Sequence, residues 1–419
     1  MNELRTFPNL PKRAYVVSQF PEFCETFILN EMMELSKRGV AFEVFSLKPC
    51  RDAHFQPGAR EIMDQATHYG PPIWHPMIWL SQLYYLFRHP SRWFSSLGLV
   101  WKSRRGGASI LLKSFYVFLL AAWFARKAAK RDIAHIHAHW ASIPSTAGLL
   151  IAKFAGLPFS LTAHAYDIFI DRTLLREKME AARYIVTCTQ YNGRFLRERY
   201  PEQAPGKVEV VYHGVDLEVF RPPAEPREDK PVVLSVGRLC DTKGFPDLLD
   251  ACMLLRDRGV DFRLKIIGDG YMREELESQI ERLHLGDLVE IAGLLPREEV
   301  RKAYAESRLF VLPCVVTPRG DRDGIPNVIL EAMAMGMPVV GTDISGLPEA
   351  IEDGVNGRLI PPHAPEKLAD AIQELWENAD LRERMGRASR EKVERVFGLQ
   401  MNMDHLAGFI HEKDGSHGP

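Results

Sequence analysis

Residues 231–268 read PVVLSVGRLCDTKGFPDLLDACMLLRDRGVDFRLKIIG. The run PVVLSVG (231–237) is apolar and ends on glycine. A short polar loop follows, and Phe245–Arg258 then spaces its apolar residues along one helical face. A second apolar run, FRLKIIG (262–268), completes the unit. Strand, helix, strand with nearly continuous apolar strands is the pattern of a parallel sheet covered on both faces.

The same alternation extends in both directions. Downstream, strands are expected at LVEIAG (288–293), LFVLP (309–313), PVVGT (338–342) and GRLI (357–360), with a helix at Arg273–Leu283. Upstream they are expected at AYVVS (14–18), FEVFSL (42–47), IAHIHA (133–138), PFSLTA (158–163), YIVTC (184–188) and VEVVY (208–212). The alternation breaks at HGVDLEVFRPPAEPREDKP (213–231), which is rich in proline and charge and reads as a linker. This predicts an N-terminal domain over 1–213, a linker over 214–230 and a second domain over 231–397. A last segment, 398–419, is expected to form a helix that crosses back to the first domain. Two doubly wound domains bind ligands outside the carboxyl ends of their strands, so a cleft there is expected to hold the site.

A length of 419 residues suits two domains. With 46% hydrophobic and 26% charged residues, the chain is neither a collagen-like fibre nor a disordered tail. Its six cysteines form no CxxC pair and read as core thiols of a reducing compartment. The start, MNELRTFPNLPKRAYVV, lacks an apolar run before a small-residue cleavage site, so no signal peptide is expected.

Charge divides unevenly. Residues 1–215 hold 27 Lys and Arg against 17 Asp and Glu, while the remainder holds 26 against 38. From Gln65 to Arg131 there is no acidic residue, but there are ten basic ones and Trp74, Trp79, Trp93, Trp101 and Trp123. Cations interleaved with aromatic rings suit an anionic membrane surface, the partner expected for residues 65–131. No nucleic-acid module accompanies the patch, so nucleic acid is not expected. Within it, the apolar run Phe115–Ala125 is too short for the roughly 20 residues of a membrane span. A helix on a membrane surface or one packed on the sheet are the two readings of 108–125.

Two segments carry the chemistry. Gly237-Arg238-Leu239-Cys240-Asp241-Thr242-Lys243-Gly244 follows a strand and opens a helix, so Gly237 lets a ligand approach while Arg238 and Lys243 grip a diphosphate. Asp321-Arg322-Asp323-Gly324-Ile325-Pro326-Asn327 precedes a helix, which presents the amides of Gly324, Ile325 and Asn327 to phosphate or sugar oxygens. Glu331, a turn and a half into that helix, is placed to accept from ribose hydroxyls. Other readings of these and nearby motifs are a metal-binding DxD at Asp321 and Asp323, zinc at His135, His137 and His139, and a plain turn at Gly268-Asp269-Gly270.

Taken in order, GRL…KG, IIGDG and DGIPNVILEAMAMGMPVVGTDISGLPE resemble the retaining glycosyltransferases of family 4. FPEFCETFILNEM, HIHAHW, FSLTAHAYDIF and VVYHGVD resemble its bacterial exopolysaccharide branch, of the colanic-acid type. The resemblance covers roughly 14–395 and implies a GT-B fold, two Rossmann-like domains facing a cleft. It implies that Arg238 and Lys243 hold the donor diphosphate, that Glu331 binds the ribose, and that Gly237, Gly324, Ile325, Pro326 and Asn327 line the donor site. Asp323 stands where the family usually has Glu, with seven residues between it and Glu331, and would contact the donor sugar with one methylene less reach. His164 matches the family's histidine beside that sugar, and Asp167 is an acceptor-side candidate. The backbone at Glu25 and Thr26 would lie near the phosphates, although FPEFCET replaces the usual glycine-rich loop.

The resemblance further implies a UDP- or GDP-sugar donor, a polyprenyl-diphosphate-linked glycan acceptor, no metal cofactor, and a cytoplasmic enzyme peripheral to the inner membrane face. A same-fold sugar-nucleotide epimerase and a catalytically silent partner of an assembly complex are the alternatives.

Overall fold

The computed structural model describes residues 5–7, 10–22, 26–50, 58–223 and 232–415. The chain forms two compact units. The first comprises 1–188, 192–211 and 403–419, and the second comprises 189–191 and 212–402.

The first unit is built on a seven-stranded parallel sheet. Its strands are β1 (Arg13–Gln19), β2 (Phe42–Lys48), β3 (Thr67–Tyr69), β4 (His135–His139), β5 (Phe159–Ala163), β6 (Ile185–Thr187) and β7 (Val208–Val210), in the order β3-β2-β1-β4-β5-β6-β7. The second unit has six parallel strands, β8 (Val232–Val236), β9 (Arg263–Ile267), β10 (Val289–Gly293), β11 (Leu309–Leu312), β12 (Val339–Thr342) and β13 (Gly357–Ile360), in the order β10-β9-β8-β11-β12-β13. Both are doubly wound α/β sheets, as the strand pattern predicts. The order reverses between β1 and β4 and between β8 and β11, and at such a switch point the connections leave in opposite directions and open a crevice. β3 escapes sequence reading because its three residues, Thr67-His68-Tyr69, are half-buried and contain no aliphatic side chain.

Apolar burial accounts for most of both cores. Val233, Leu234, Ile266, Phe310, Val311 and Val340 are at most 2% exposed in the second sheet. The first core also contains charge. Arg13 and Asp414, both side chains fully buried, are 2.6 Å apart, and Tyr184 accepts from Arg13 Nη1 at 2.8 Å. Through this pair and Arg38–Asp404 (2.7 Å), the helix Leu399–Gly415 is anchored to β1 and to the end of the helix Thr26–Lys37. Removing one partner of such a pair strands the other charge in the interior, which typically costs about 3–5 kcal/mol.

Between these elements β4 carries three buried histidines. His135 Nε2 and His137 Nδ1 each lie 2.7 Å from Ser160 Oγ, His137 Nε2 lies 3.1 Å from Thr162 Oγ1, and His139 Nε2 lies 3.2 Å from Glu31. The hydroxyls of β5 thus meet the imidazoles of His135 and His137, and Glu31 meets that of His139.

The helix Ala108–Lys130 is long and apolar enough to cross a membrane, but half of its most apolar stretch is buried. Val117 to Ala128 supply the core face, with Phe124 stacked on Phe45 at 4.8 Å. The exposed large apolar side chains of this helix, Leu112 and Phe115, fall in its first turns. The choice left open for 108–125 therefore divides along the helix, core in the second half and exposed surface in the first.

Burial pushes the His135 imidazole down to about 4, against the pull of Asp414. The unfolded chain takes up this proton near pH 6.5, whereas the folded chain resists it. Stability of the first unit is expected to fall as pH drops from about 6.5 to 4, by roughly 3 kcal/mol from this group. Urea unfolding across that range checks this, and His135→Gln is expected to flatten the slope.

Candidate functional site

The predicted donor-side residues converge at the switch point of the second sheet. β8 ends at Val236, and Gly237 and Arg238 leave its carboxyl end. Asp241–Lys243 make one turn, and Gly244 is the N-terminal cap residue of the helix Phe245–Asp257. Gly244 has φ +67°, and a Cβ there would fall 1.9 Å from the Pro313 carbonyl oxygen. Only glycine fits, because both the left-handed backbone and the contact exclude a side chain. The Val315 amide donates to the Thr242 carbonyl at 2.9 Å. The loops after β8 and β11 are therefore closed on each other through backbone.

On that platform Lys243 runs beside Gly237, where a Cβ would lie 3.6 Å from the lysine Cδ. Its Nζ lies 3.0 Å from Asp323 Oδ2, with side-chain exposures of 12% and 27%. Burial opposes the ammonium charge, but Asp323 outweighs it and holds the Lys243 pKa above the usual lysine value. Arg238 is exposed and, among the described residues, has no hydrogen-bond or ion-pair partner. The loop thus presents one committed and one uncommitted cation, which suits a group carrying several negative oxygens.

Asp321 turns back on its own loop. Its carboxylate accepts from the Arg322 amide at 2.9 Å, and its amide donates to Thr317 Oγ1 at 3.1 Å. The two acids of the DxD-like triplet therefore have different occupations, one the loop and one Lys243. Gly324, Ile325 and Pro326 lead into the helix Asn327–Ala334, where Pro326 is the N-terminal cap residue. Helical geometry leaves the Asn327 amide without an intrahelical acceptor. A Cβ on Gly346 would lie 3.1 Å from Ile325 Cγ1, so this approach to the helix is packed from below.

Glu331 is half-buried on that helix. Tyr304 Oη, on a fully buried residue, donates to Glu331 Oε2 at 3.1 Å and lies 3.1 Å from the Val328 carbonyl. Burial pushes the Glu331 carboxyl upward, against the Tyr304 hydrogen bond. Tyr304 fixes one oxygen and leaves Oε1 for another donor. Sequence reading misses this tyrosine because it lies 27 residues away on a different helix.

The first unit holds the remaining candidates. His164 follows β5 and is 4% exposed. Its ring packs 4.3 Å from Trp140, 5.0 Å from Phe27 and 6.0 Å from His139 between centroids. Its amide donates to Asp167 Oδ1 at 2.8 Å, and its carbonyl accepts from Asn192 Nδ2 at 3.2 Å. Asp167 is fully buried and takes a second amide, that of Ala141, on its other oxygen. Burial pushes its carboxyl up to about 6, opposed by these amides. Lys178, which burial lowers to about 7, donates to the carbonyls of Ala141 at 2.6 Å and Ser142 at 2.7 Å. Asp167 and Lys178 thus hold the ends of β4 and β5 in register around His164. Trp140, at φ +71°, is the aromatic neighbour that the string HIHAHW already contains. Thr26 opens the helix after β1, and Glu25 lies outside the described residues.

For metal ions, ligand atoms of Glu31, His137 and His139 lie within 4.8 Å of one another. His135 does not join them and pairs with Ser160 instead.

A family model described as glycosyl transferases group 1 matches residues 217–392, and one described as glycosyltransferase family 4 matches residues 24–219. The chain is similar to WcaL of Escherichia coli (strain K12), assigned by its name to colanic acid biosynthesis, with 36% identity over 52% of this chain and 53% of that one. It is 30% identical to the alpha-D-kanosaminyltransferase of Streptomyces kanamyceticus over 68% of this chain and 80% of that one. The chain spans about half the length of the first curated relatives it matches. Among solved structures, Anabaena HepE in complex with UDP and glucose superposes with a TM-score of 0.70 at 17% identity, over 96% of this chain and 100% of that one, which shows a shared fold.

Gly244→Ala is expected to destabilise the second unit by at least about 2 kcal/mol, through left-handed strain and the collision with Pro313. Thermal unfolding of the variant beside the parent checks this.

Proposed function

The chain belongs to the glycosyltransferases of family 4, and from that premise we propose that it moves a hexose from a nucleoside-diphosphate sugar to a polyprenyl-diphosphate-linked glycan during exopolysaccharide synthesis. The observation that carries the reading is the exposed guanidinium of Arg238, which has no hydrogen-bond or ion-pair partner among the described residues, on the same β8 loop as Lys243, which pairs with Asp323 of the β11 loop. A leaving diphosphate develops negative charge there, and fixed cations stabilise that charge without reorganising. The glucose and UDP bound by HepE, a protein of the same fold, support a sugar nucleotide as the donor class.

In this scheme Arg238 and Lys243 hold the diphosphate oxygens, and the amides at Gly324, Ile325 and Asn327 complete the anion site. Oε1 of Glu331 accepts from the ribose, held in place through Tyr304. Asp323 contacts the donor sugar and also steadies Lys243. His164, on the floor made by Trp140 and Phe27, serves the donor sugar. The acceptor hydroxyl attacks the anomeric carbon from the face that the diphosphate leaves, so configuration is retained. The C–O bond to phosphate breaks as the new glycosidic bond forms, and the departing phosphate oxygen takes the acceptor proton. No step calls on a metal ion. The enzyme works at the cytoplasmic face of the membrane, where its lipid-linked acceptor is found.

Transfer of labelled sugar from a panel of UDP- and GDP-donors into membrane lipid extract tests the reading. Arg238→Ala is expected to lower turnover by roughly 10²-fold, the effect of one preorganised donor, with unchanged thermal unfolding. Near-parental turnover in that variant overturns the scheme, and donor binding without transfer by the parent chain identifies a silent partner instead.

A further inference from the structure

The helix Pro76–Arg88 presents most of its large apolar side chains outward. Its polar residues Ser81 and Gln82 are buried, while Trp79, Leu83 and Phe87 are 51%, 48% and 80% exposed. The buried amide is fully used. Gln82 Nε2 donates to the Phe118 and Leu119 carbonyls at 2.9 and 3.2 Å, and Oε1 accepts from Trp93 Nε1 at 2.8 Å. A helix in contact with water buries its apolar side, so this helix is built for a different medium on its outer face.

The feature continues into the neighbouring elements. Phe94 and Trp101 on the helix Pro90–Lys102 are 61% and 60% exposed, and Leu112 on the next helix is 71% exposed. Twelve of the seventeen large hydrophobic side chains exposed among the described residues fall within 73–115, so the apolar surface is local to these helices. The charge of the segment has one sign. Arg88, Arg104, Arg105 and Lys113 are exposed, and no Asp or Glu occurs from Gln65 to Arg131. The Arg104 guanidinium sits 4.9 Å over the Trp101 ring, which places a cation and an aromatic ring at one level.

We propose that these helices are a docking face for an anionic bilayer, with Trp79, Leu83 and Phe87 seated at the boundary between headgroups and acyl chains and the arginines on lipid phosphate. A second copy of the chain would bring the same positive charge to the contact, whereas anionic headgroups match both the charge and the apolar surface. At 13 residues the helix Pro76–Arg88 is too short to span, and it lies in the interface plane. The inference deepens the reading of a lipid-linked acceptor and rests on it only for its purpose. Vesicle binding is read without sugar nucleotide, and donor binding is read without lipid, so each fails separately.

The test is flotation of the full chain with phosphatidylcholine vesicles, with and without phosphatidylglycerol. The chain is expected to float with the anionic vesicles, less so at high salt. Its tryptophan fluorescence is expected to be quenched by brominated lipid. The triple variant Trp79→Ser, Leu83→Ser, Phe87→Ser is expected to lose about ten-fold in bound fraction while keeping its circular dichroism spectrum. Quenching in the unmodified chain decides the matter if that variant does not fold. Absent flotation and quenching, or a folded triple variant that floats as the parent does, overturns the proposal. So does a dimer in light scattering that the triple variant converts to monomer, since a second copy then covers the face.

Discussion

Lys243 and Asp323 follow neighbouring strands of the second sheet on separate loops, and their ion pair of 3.0 Å joins those loops over the switch point. The arrangement depends on what lies beneath it. Val315 must reach the Thr242 carbonyl, and Gly244 must pass the Pro313 carbonyl without a Cβ. With that backbone closure in place, the carboxylate of Asp323 is held against Lys243 and favours its ammonium form, against the opposing effect of burial. Arg238, two residues beyond the end of β8, is exposed and makes no such pair among the described residues.

The first unit solves a different problem. Its central strand β4 places three imidazoles in the interior; β5 meets two of them with Ser160 and Thr162, and Glu31 meets the third. At the strand ends, Asp167 and Lys178 hold amides and carbonyls, so the short loop after β4 is fixed from both sides. A buried acid and a buried base that both bind backbone are positioning groups, and what they position is His164 between Trp140 and Phe27. The cluster therefore combines a hydrogen-bonded polar interior with an aromatic floor under one histidine.

Much of the architecture was legible because parallel strands buried on both faces read as unbroken apolar runs. β1, β8 and β12 all carry that signal. β3 carries none, since three half-buried residues at an edge need no aliphatic side chain. The loops at Gly237–Gly244 and Asp321–Asn327 were also legible, because glycine and charge at a strand end are local features. Tyr304 was not, because its link to Glu331 runs between two helices that only packing brings together. The same holds for Arg13 and Asp414, which lie 401 residues apart. The helix Pro76–Arg88 shows the converse. Its composition was visible, but which side of it faces outward depends on the partners of Gln82.

By itself the sequence determined the alternation of strand and helix, the position of the glycine-rich turns and the lopsided charge of the two halves, because each is written in residues close together along the chain. Tertiary structure alone decided which carboxylate meets Lys243, which oxygen of Glu331 remains open, and that an apolar helix face points outward. Those outcomes depend on distances between segments far apart in sequence, and such distances exist only once the cores have packed.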